Sequence, residues 1–280
     1  MTMVVRTHES PIAHFGEFTR SVGRDVRRSG PLALEIVKRD VRGQYRSSLF
    51  GPAVVVLAPL AITAAAIGFR RTGILNVDAI SVPYTLFVLA GVVLWATVLD
   101  ALHAPIQGFL AEQRLLARTS APPEAIVLGK LGTVFLNALI RGVILAVAML
   151  IYRVPLHPSI LAALAGVVSL AMLGITLGLA IAPINLLYRD FSWILTTVTT
   201  VWFFFSPIYF PAPRGGAVGT IMRFNPVTPL LSDTRSLILT GSVADPWCSL
   251  LTTLAVCLCL CACWLYARIG LSVAIEQVND

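Results

Sequence analysis

The sequence predicts an all-α integral membrane protein with six transmembrane helices, and three observations predict it. Hydrophobic residues make up 57% of the 280 residues and charged ones only 12%, with a mean hydropathy of +0.83. An ordinary soluble domain carries about 25% charged residues. Charge-free runs recur at the roughly 20 residues that a bilayer core demands of a helix. Nine of the 21 Lys and Arg residues fall within the first 46 positions, ahead of the first such run. That placement argues against a nucleic-acid partner despite the net charge of +7. Basic residues beside a first span hold that end in the cytoplasm and touch anionic lipid. The first apolar segment begins only near Gly51, so no cleavable signal peptide is expected.

Residues 1–50 read as a cytoplasmic tail followed by a surface helix starting near Pro31, a residue suited to a first helical turn. Leu34, Val37, Val41 and Tyr45 share one helical stripe, while Glu35, Arg39, Arg42 and Arg46 share another about 100° away. Such a helix lies flat at the interface, apolar stripe in lipid and arginines at phosphates. Gly51-Pro52 marks a bend into the membrane.

Residues 51–270 hold the spans. Stretches 51–69 and 79–99 contain no Asp, Glu, Lys or Arg, and 131–152 contains only Arg141. Stretch 154–188 exceeds one span, and Pro155 and Pro158 keep its start in a loop. Stretch 191–213 is charge-free but broken by Pro207 and Pro211, and 246–267 is the last. An even number of crossings places both termini on one side, with 271–280 as a short tail. With the amino terminus inside, the inner segments carry 14 basic residues and the outer ones six. The positive-inside rule therefore puts both termini in the cytoplasm.

Between the second and third spans, 100–130 is the longest inner connection and carries Glu112, Arg114 and Arg118. Ser120, the prolines after it and Glu124 read as a helix start. A loop of that length is usually functional or disordered. Arg141 is the one arginine within a span, and Asn137 lies one turn earlier on the same face. It should face the bundle, paired with a carbonyl or with Asn137; structural pairing and contact with a substrate phosphate are both open.

Several chemistries are missing. No Gly-x-x-x-x-Gly-Lys-Ser/Thr phosphate loop occurs, because Gly129-Lys130 lacks both the earlier glycine and the following hydroxyl. No Ser/His/Asp arrangement or metal-ligand spacing stands out. Cys248, Cys257, Cys259, Cys261 and Cys263 fall in or beside the last apolar run without His or carboxylate, which reads as packing.

Aromatic residues concentrate in the fifth run, with Trp193, Trp202, Phe203, Phe204, Phe205, Tyr209 and Phe210, and the second span adds Tyr84 and Trp95. Lipid-facing or core packing is one reading, with Trp and Tyr at the interfacial belt. The other is a channel in which sugar C–H faces stack on rings, with Tyr84, Trp95, Trp193, Trp202 and Tyr209 as candidates. Pro207 and Pro211 forbid a straight helix here. Non-helical backbone at membrane depth needs shelter by protein or a watery cavity. Residues 211–245 are too polar to span and too apolar for a free linker, with a turn at Asn225-Pro226.

Four quoted segments, in order, carry a resemblance: Lys38-Arg-Asp-Val-Arg-Gly-Gln-Tyr-Arg-Ser-Ser48, Asn185-Leu-Leu-Tyr-Arg-Asp190, Ser206-Pro-Ile-Tyr-Phe-Pro211, and Asn225-Pro-Val-Thr-Pro229 with Thr234-Arg235. Together they resemble the membrane subunit of ABC-2-type exporters, especially those for lipid-linked polysaccharides such as O-antigen, teichoic acid or galactan. The sequence departs from the commonest pattern in having Phe50-Gly-Pro where a Leu-Gly-x-x-Trp segment is usual.

The resemblance implies a homodimeric permease in the bacterial plasma membrane, working with two copies of a separate ATPase subunit. ATP and Mg would bind that partner, leaving this chain without a cofactor. It also implies that the helix bearing Arg39, Arg42, Tyr45 and Arg46 abuts the ATPase, and that the segment with Glu112, Arg114 and Arg118 docks on it. Residues 211–245 would form short re-entrant helices and an external gate, with Pro207, Pro211, Asn225 and Pro226. Aromatic belts would line the channel.

Three alternatives stand beside the polysaccharide reading. A drug or lipid exporter shares the six-span plan. A membrane-embedded transferase would need paired carboxylates or His at a span mouth, where Asp100 with His103 is the nearest approach. A non-transporting scaffold would not need the broken aromatic run.

Overall fold

In hydrocarbon every backbone N–H and C=O must find an internal partner, so stretches of Leu, Val, Ala and Ile close into helices. The computed structural model describes residues 15–46, 53–73, 80–113, 122–188, 190–213, 215–243 and 245–279, and their side chains except those of 15–28, 45–46, 54 and 272–279. Nine helices occur among the described residues, and no strand. They are α1 (Phe15–Arg46), α2 (Ala53–Arg71), α3 (Tyr84–Ala111), α4 (Pro123–Ile151), α5 (Ile160–Leu187), α6 (Phe191–Phe204), α7 (Gly216–Phe224), α8 (Val227–Leu239) and α9 (Pro246–Asn279). Embedded hydroxyls are satisfied locally: Thr63, Thr97, Ser169 and Thr176 each donate to the carbonyl four residues earlier, at 2.7–3.1 Å.

Four helices, α3, α4, α5 and α9, are long and apolar enough to cross a membrane, and α6 is a shorter apolar helix. The protein is an all-α integral membrane protein. The six expected spans fall on α2 to α6 and α9. At 14 residues, α6 reaches roughly 21 Å at 1.5 Å per residue, short of a bilayer core. The Pro-broken stretch 205–213 continues it.

Three boundaries differ from expectation. Helix α1 starts at Phe15 and takes Pro31 into its interior. A proline removes one helical hydrogen bond, a loss that water can compensate outside the hydrocarbon. Helix α3 continues beyond Asp100 to Ala111, so the long inner connection shrinks to the residues between Ala111 and Pro123. Asp100 does not end the span because its charge is paired inside the bundle, as described below. Helix α9 runs on to Asn279 through the expected tail. The start of α4 agrees with expectation: Pro122 is the N-cap, Pro123 follows, and Glu124 sits in the first turn.

Helix α3 is the central element, with Leu86, Val88, Ala90, Val98 and Ala101 fully buried. Its closest neighbour is α5, which approaches through Gly174 and Gly178. A Cβ on Gly174 would strike the Val98 carbonyl, and one on Gly178 the Leu102 carbonyl and, at 2.6 Å, Pro105. Small residues four apart let two helix backbones pack closely in a membrane. Helix α1 lies along α4 in the same manner, with Ile36 over Gly129 and Val37 over Gly132. The outward faces of α4 and α9 are apolar, with Leu139, Val143, Leu254 and Leu258 exposed. All five cysteines sit on α9; Cys263 packs against the hydrophobic core, in keeping with the expected packing role, while Cys248, Cys259 and Cys261 are exposed. No metal-ligand group of three exists among the described residues.

Candidate translocation site

The candidate site begins where α6 breaks. Trp202 and Phe203, in its last turn, meet Trp95 of α3. The Trp95 and Trp202 rings lie edge-to-face at 5.3 Å, and Phe203 stands 5.9 Å from Trp95. Tyr209, beyond the break, extends the series edge-on to Phe203 at 5.2 Å. Such pairs contribute about 0.5–1.5 kcal/mol each beyond the area they bury. Tyr84 opens α3 in the same apolar core, with the Arg70 guanidinium 4.6 Å from its ring centroid. Of the five candidate channel residues, Tyr84, Trp95, Trp202 and Tyr209 thus share one core. Trp193 does not: it stands at the start of α6, 83% exposed.

The break itself is stapled by Asn225. The Trp202 indole N–H donates to its Oδ1 at 3.1 Å, and the Val227 N–H donates to the same oxygen at 3.0 Å. The Asn225 amide donates to the Phe205 carbonyl at 3.1 Å and to Ser206 Oγ at 3.2 Å. One side chain therefore satisfies the turn it sits in and the end of α6. Arg235 of α8 performs the next step, donating to the Pro207 carbonyl at 2.7 Å while lying 3.6 Å over the Phe87 ring. Ile208 between them is fully buried and touches α3 at Gly91, where a Cβ would meet the Ile208 carbonyl at 3.1 Å. Pro226 caps α8, and Pro211 is exposed at the end of the broken stretch. Three of the four expected gate residues, Pro207, Asn225 and Pro226, therefore meet in one hydrogen-bonded knot, and Pro211 lies at its edge.

A second polar cluster lies deeper along α3. Arg141 donates to Asp100 Oδ2 at 2.8 Å, and the Asn137 amide approaches the same oxygen at 3.4 Å. The partner of Arg141 is thus Asp100, which composition alone had placed at the end of a span. Deleting one member of a buried pair typically costs about 3–5 kcal/mol. The cluster forms one wall of a cavity of about 690 Å³ bounded by α2, α3, α4 and α6, with Gln44 of α1, Trp95 and Phe203 on its border. His103, one turn beyond Asp100, is bonded through Nδ1 to the Leu99 carbonyl at 2.8 Å.

A third cluster ties α1 to the other end of α3. Arg39 donates to Glu112, and Lys130 donates to Asp40 at 2.5 Å. The bond to Glu112, outweighing the cost of burial, raises the Arg39 pKa above its ordinary value, so it remains a cation. Glu112 is largely buried here, whereas Arg42 is exposed. Arg114 and Arg118 lie outside the described residues, as do the side chains of Tyr45 and Arg46. Across α4, Glu124 pairs with Arg268 of α9 at 3.3 Å.

Fold and site define a multi-pass helical membrane protein whose broken fifth apolar segment folds back onto its central helix. A model of the ABC-2 type transporter family matches residues 32–239. The match takes in about three quarters of the chain, from the surface helix to the end of α8, and the protein belongs to the ABC-2 type transporter membrane family. It is a permease subunit of an ABC transporter. No match was found among curated proteins.

Proposed function

We propose that this permease exports a polyprenyl-diphosphate-linked polysaccharide of the O-antigen, galactan or teichoic-acid type. It would act as a homodimer in the bacterial plasma membrane with two copies of a separate ATPase that binds ATP and Mg. The observation that favours a glycan is the aromatic series Trp95, Trp202, Phe203, Tyr209, joined to a polar turn at Asn225. Aromatic faces accept sugar C–H surfaces without reading any one hydroxyl pattern, which suits a polymer that must keep moving. A drug or lipid exporter of the same plan remains the competing assignment.

In this reading both termini are cytoplasmic, in keeping with the 14-to-six basic split. The charge pairs that tie α1 to α3 and α4 then lie at the cytoplasmic face, where the ATPase docks, and the Asn225 knot forms the external gate. Glu112 and Trp95 sit 17 residues apart on one helix, roughly 25 Å at 1.5 Å per residue. A push on α1 or on the segment holding Arg114 and Arg118 would travel along α3, past Pro105, to the aromatic series.

The test is export in cells. The gene, expressed with its ATPase subunit in a strain lacking its own glycan exporter, should restore surface display of a lipid-linked glycan. Restored drug or phospholipid efflux without glycan display would favour the competing assignment.

A further inference from the structure

The cavity between α2, α3, α4 and α6 has two unlike walls. Val55, Ala58 and Ile62 of α2 make one side apolar, while Asp100, Asn137 and Arg141 make the facing side polar. Arg141 is more than nine-tenths buried, and its Nε has no hydrogen-bond partner. Asp100 keeps 28% of its side chain exposed, and both recorded bonds fall on Oδ2. Oδ1 is therefore available as an acceptor. Gln44, Thr199 and Thr200 add neutral polar groups to the lining.

A charged cluster at this depth in an apolar slab calls for water or a polar ligand, since buried polar groups without partners destabilise a fold. The cluster's charge decides which ligand. Arg141 and Asp100 cancel, so the wall offers no net attraction to a phosphate, and the carboxylate repels one at close range. A neutral hydroxylated group meets acceptors at Asp100, a donor and acceptor at Asn137, and a ring at Phe203 on which its C–H face can lie. An attached lipid chain meets the α2 wall.

We infer that this cavity is a binding site for a neutral glycosyl unit of an amphiphilic substrate. Asp100 and Asn137 hold its hydroxyls, and Arg141 is a positioning residue that aims the Asp100 carboxylate. The site rests on the glycan-export reading and adds to it a place, bordering the aromatic series at Trp95 and Phe203, where the first sugar is selected.

The experiment uses the full chain in phosphatidylcholine nanodiscs and measures binding by native mass spectrometry. Three probes are compared: a polyprenyl diphosphate bearing one neutral hexose, the same polyprenyl diphosphate without sugar, and monoglucosyl diacylglycerol, which has no phosphate. Wild type should bind the hexosyl diphosphate about tenfold tighter than the bare one, the scale of a charge-assisted hydrogen bond. Asp100→Asn leaves Arg141 unpaired and can fail to fold, so Asn137→Ala and the double variant Asp100→Asn/Arg141→Gln carry the test. Both should abolish the preference and weaken the glucosyl lipid in parallel, with affinity for the bare diphosphate unchanged. Preference that persists in both variants, or is missing in wild type, overturns the site. Loss of bare-diphosphate binding in the double variant also overturns it and assigns an anion site instead. The glycan-export reading fails separately, if wild type with its ATPase never displays a glycan in cells.

Discussion

Trp202 and Asn225 are joined by a 3.1 Å hydrogen bond from the indole N–H to Oδ1, across 23 residues and a proline-broken chain. That bond ties the end of the fifth apolar segment to the turn that starts α8. It places one member of the aromatic series and the expected gate in a single unit. Both groups are short of alternatives in an apolar surrounding, so the contact fixes the break as structure, not slack chain.

Asn225 is the most exacting position of this unit. Asn225→Leu keeps the branched shape but removes four hydrogen bonds at once. Leaving their buried partners unsatisfied costs about 1–3 kcal/mol per group, less whatever water restores. We expect a melting temperature lowered by several degrees in detergent and faster proteolysis between residues 205 and 226. Asn225→Asp, which keeps the Oδ1 acceptor but not the amide donor, should fall between the two. An unchanged melting temperature for the Leu variant would contradict the staple.

The α3–α5 contact predicts a sharp contrast among glycines. Gly178→Leu drives its Cβ into the Leu102 carbonyl and Pro105, whereas the Cβ of Gly142→Leu meets nothing within 4 Å. Overpacking of a tight contact costs about 1–3 kcal/mol or more. The first variant should lose most of its folded yield by fluorescence-detected size exclusion, and the second should match wild type. Equal yields would mean that α5 is not held at the distance seen here.

The Arg39–Glu112 bridge predicts a reversible effect on coupling. With Arg39 56% exposed, the pair contributes to stability only on the order of 1 kcal/mol or less. Its larger consequence should be mechanical, because it links α1 to α3. Arg39→Glu and Glu112→Arg should each lower transport-coupled ATP hydrolysis in the assembled complex, and the double reversal should recover much of it. A double reversal no better than either single variant would separate the pair from coupling.

Orientation can be read directly. In a cysteine-free background, a cysteine at Gly215 should react with a membrane-impermeant maleimide added outside intact cells, and one at Glu276 should not. The opposite pattern would invert the assignment of gate and docking face.

Much of this was legible in the sequence because hydrocarbon leaves few choices. Charge-free runs gave the helices, and Pro155, Pro158, Pro207 and Pro211 marked where they start or break. Asn225-Pro226 marked the turn, and the aromatic load on α6 pointed to a core that Trp95, Trp202 and Tyr209 do share. A charge reads as a boundary in a membrane sequence, and at Asp100 that reading fails. Asp100 looked like the end of a span, yet Arg141, 41 residues away, neutralises it inside the bundle. No local pattern encodes that pairing, although two opposite charges at similar depth on adjacent spans were a usable hint. Glu112, expected to face a partner subunit, also bonds Arg39 of α1, a contact across 73 residues that no local pattern encodes. The four-residue spacing of Gly174 and Gly178 is a signal for the close α3–α5 contact that the sequence carries. Trp193 shares residue type with the channel candidates but not their place, because a ring at the first turn of α6 faces away from α3.

The account's central claim is that the rings gathered at the α3–α6 contact carry a glycan across the membrane. The most direct measurement is the export rate of lipid-linked glycan by the permease–ATPase complex, with Trp95→Leu, Trp202→Leu and Tyr209→Leu made singly and together. Leucine limits the cavity left behind and removes the stacking face. Each ring should matter modestly, because tight binding at any one site would stall a moving polymer. The account predicts a rate reduced about twofold to threefold by each change and by tenfold or more in the triple variant, on the scale of about 0.5–1.5 kcal/mol per aromatic contact. Assembly with the ATPase and basal hydrolysis should stay intact. A triple variant that folds, binds its ATPase and exports at the wild-type rate would show that these rings only pack, and would contradict the claim.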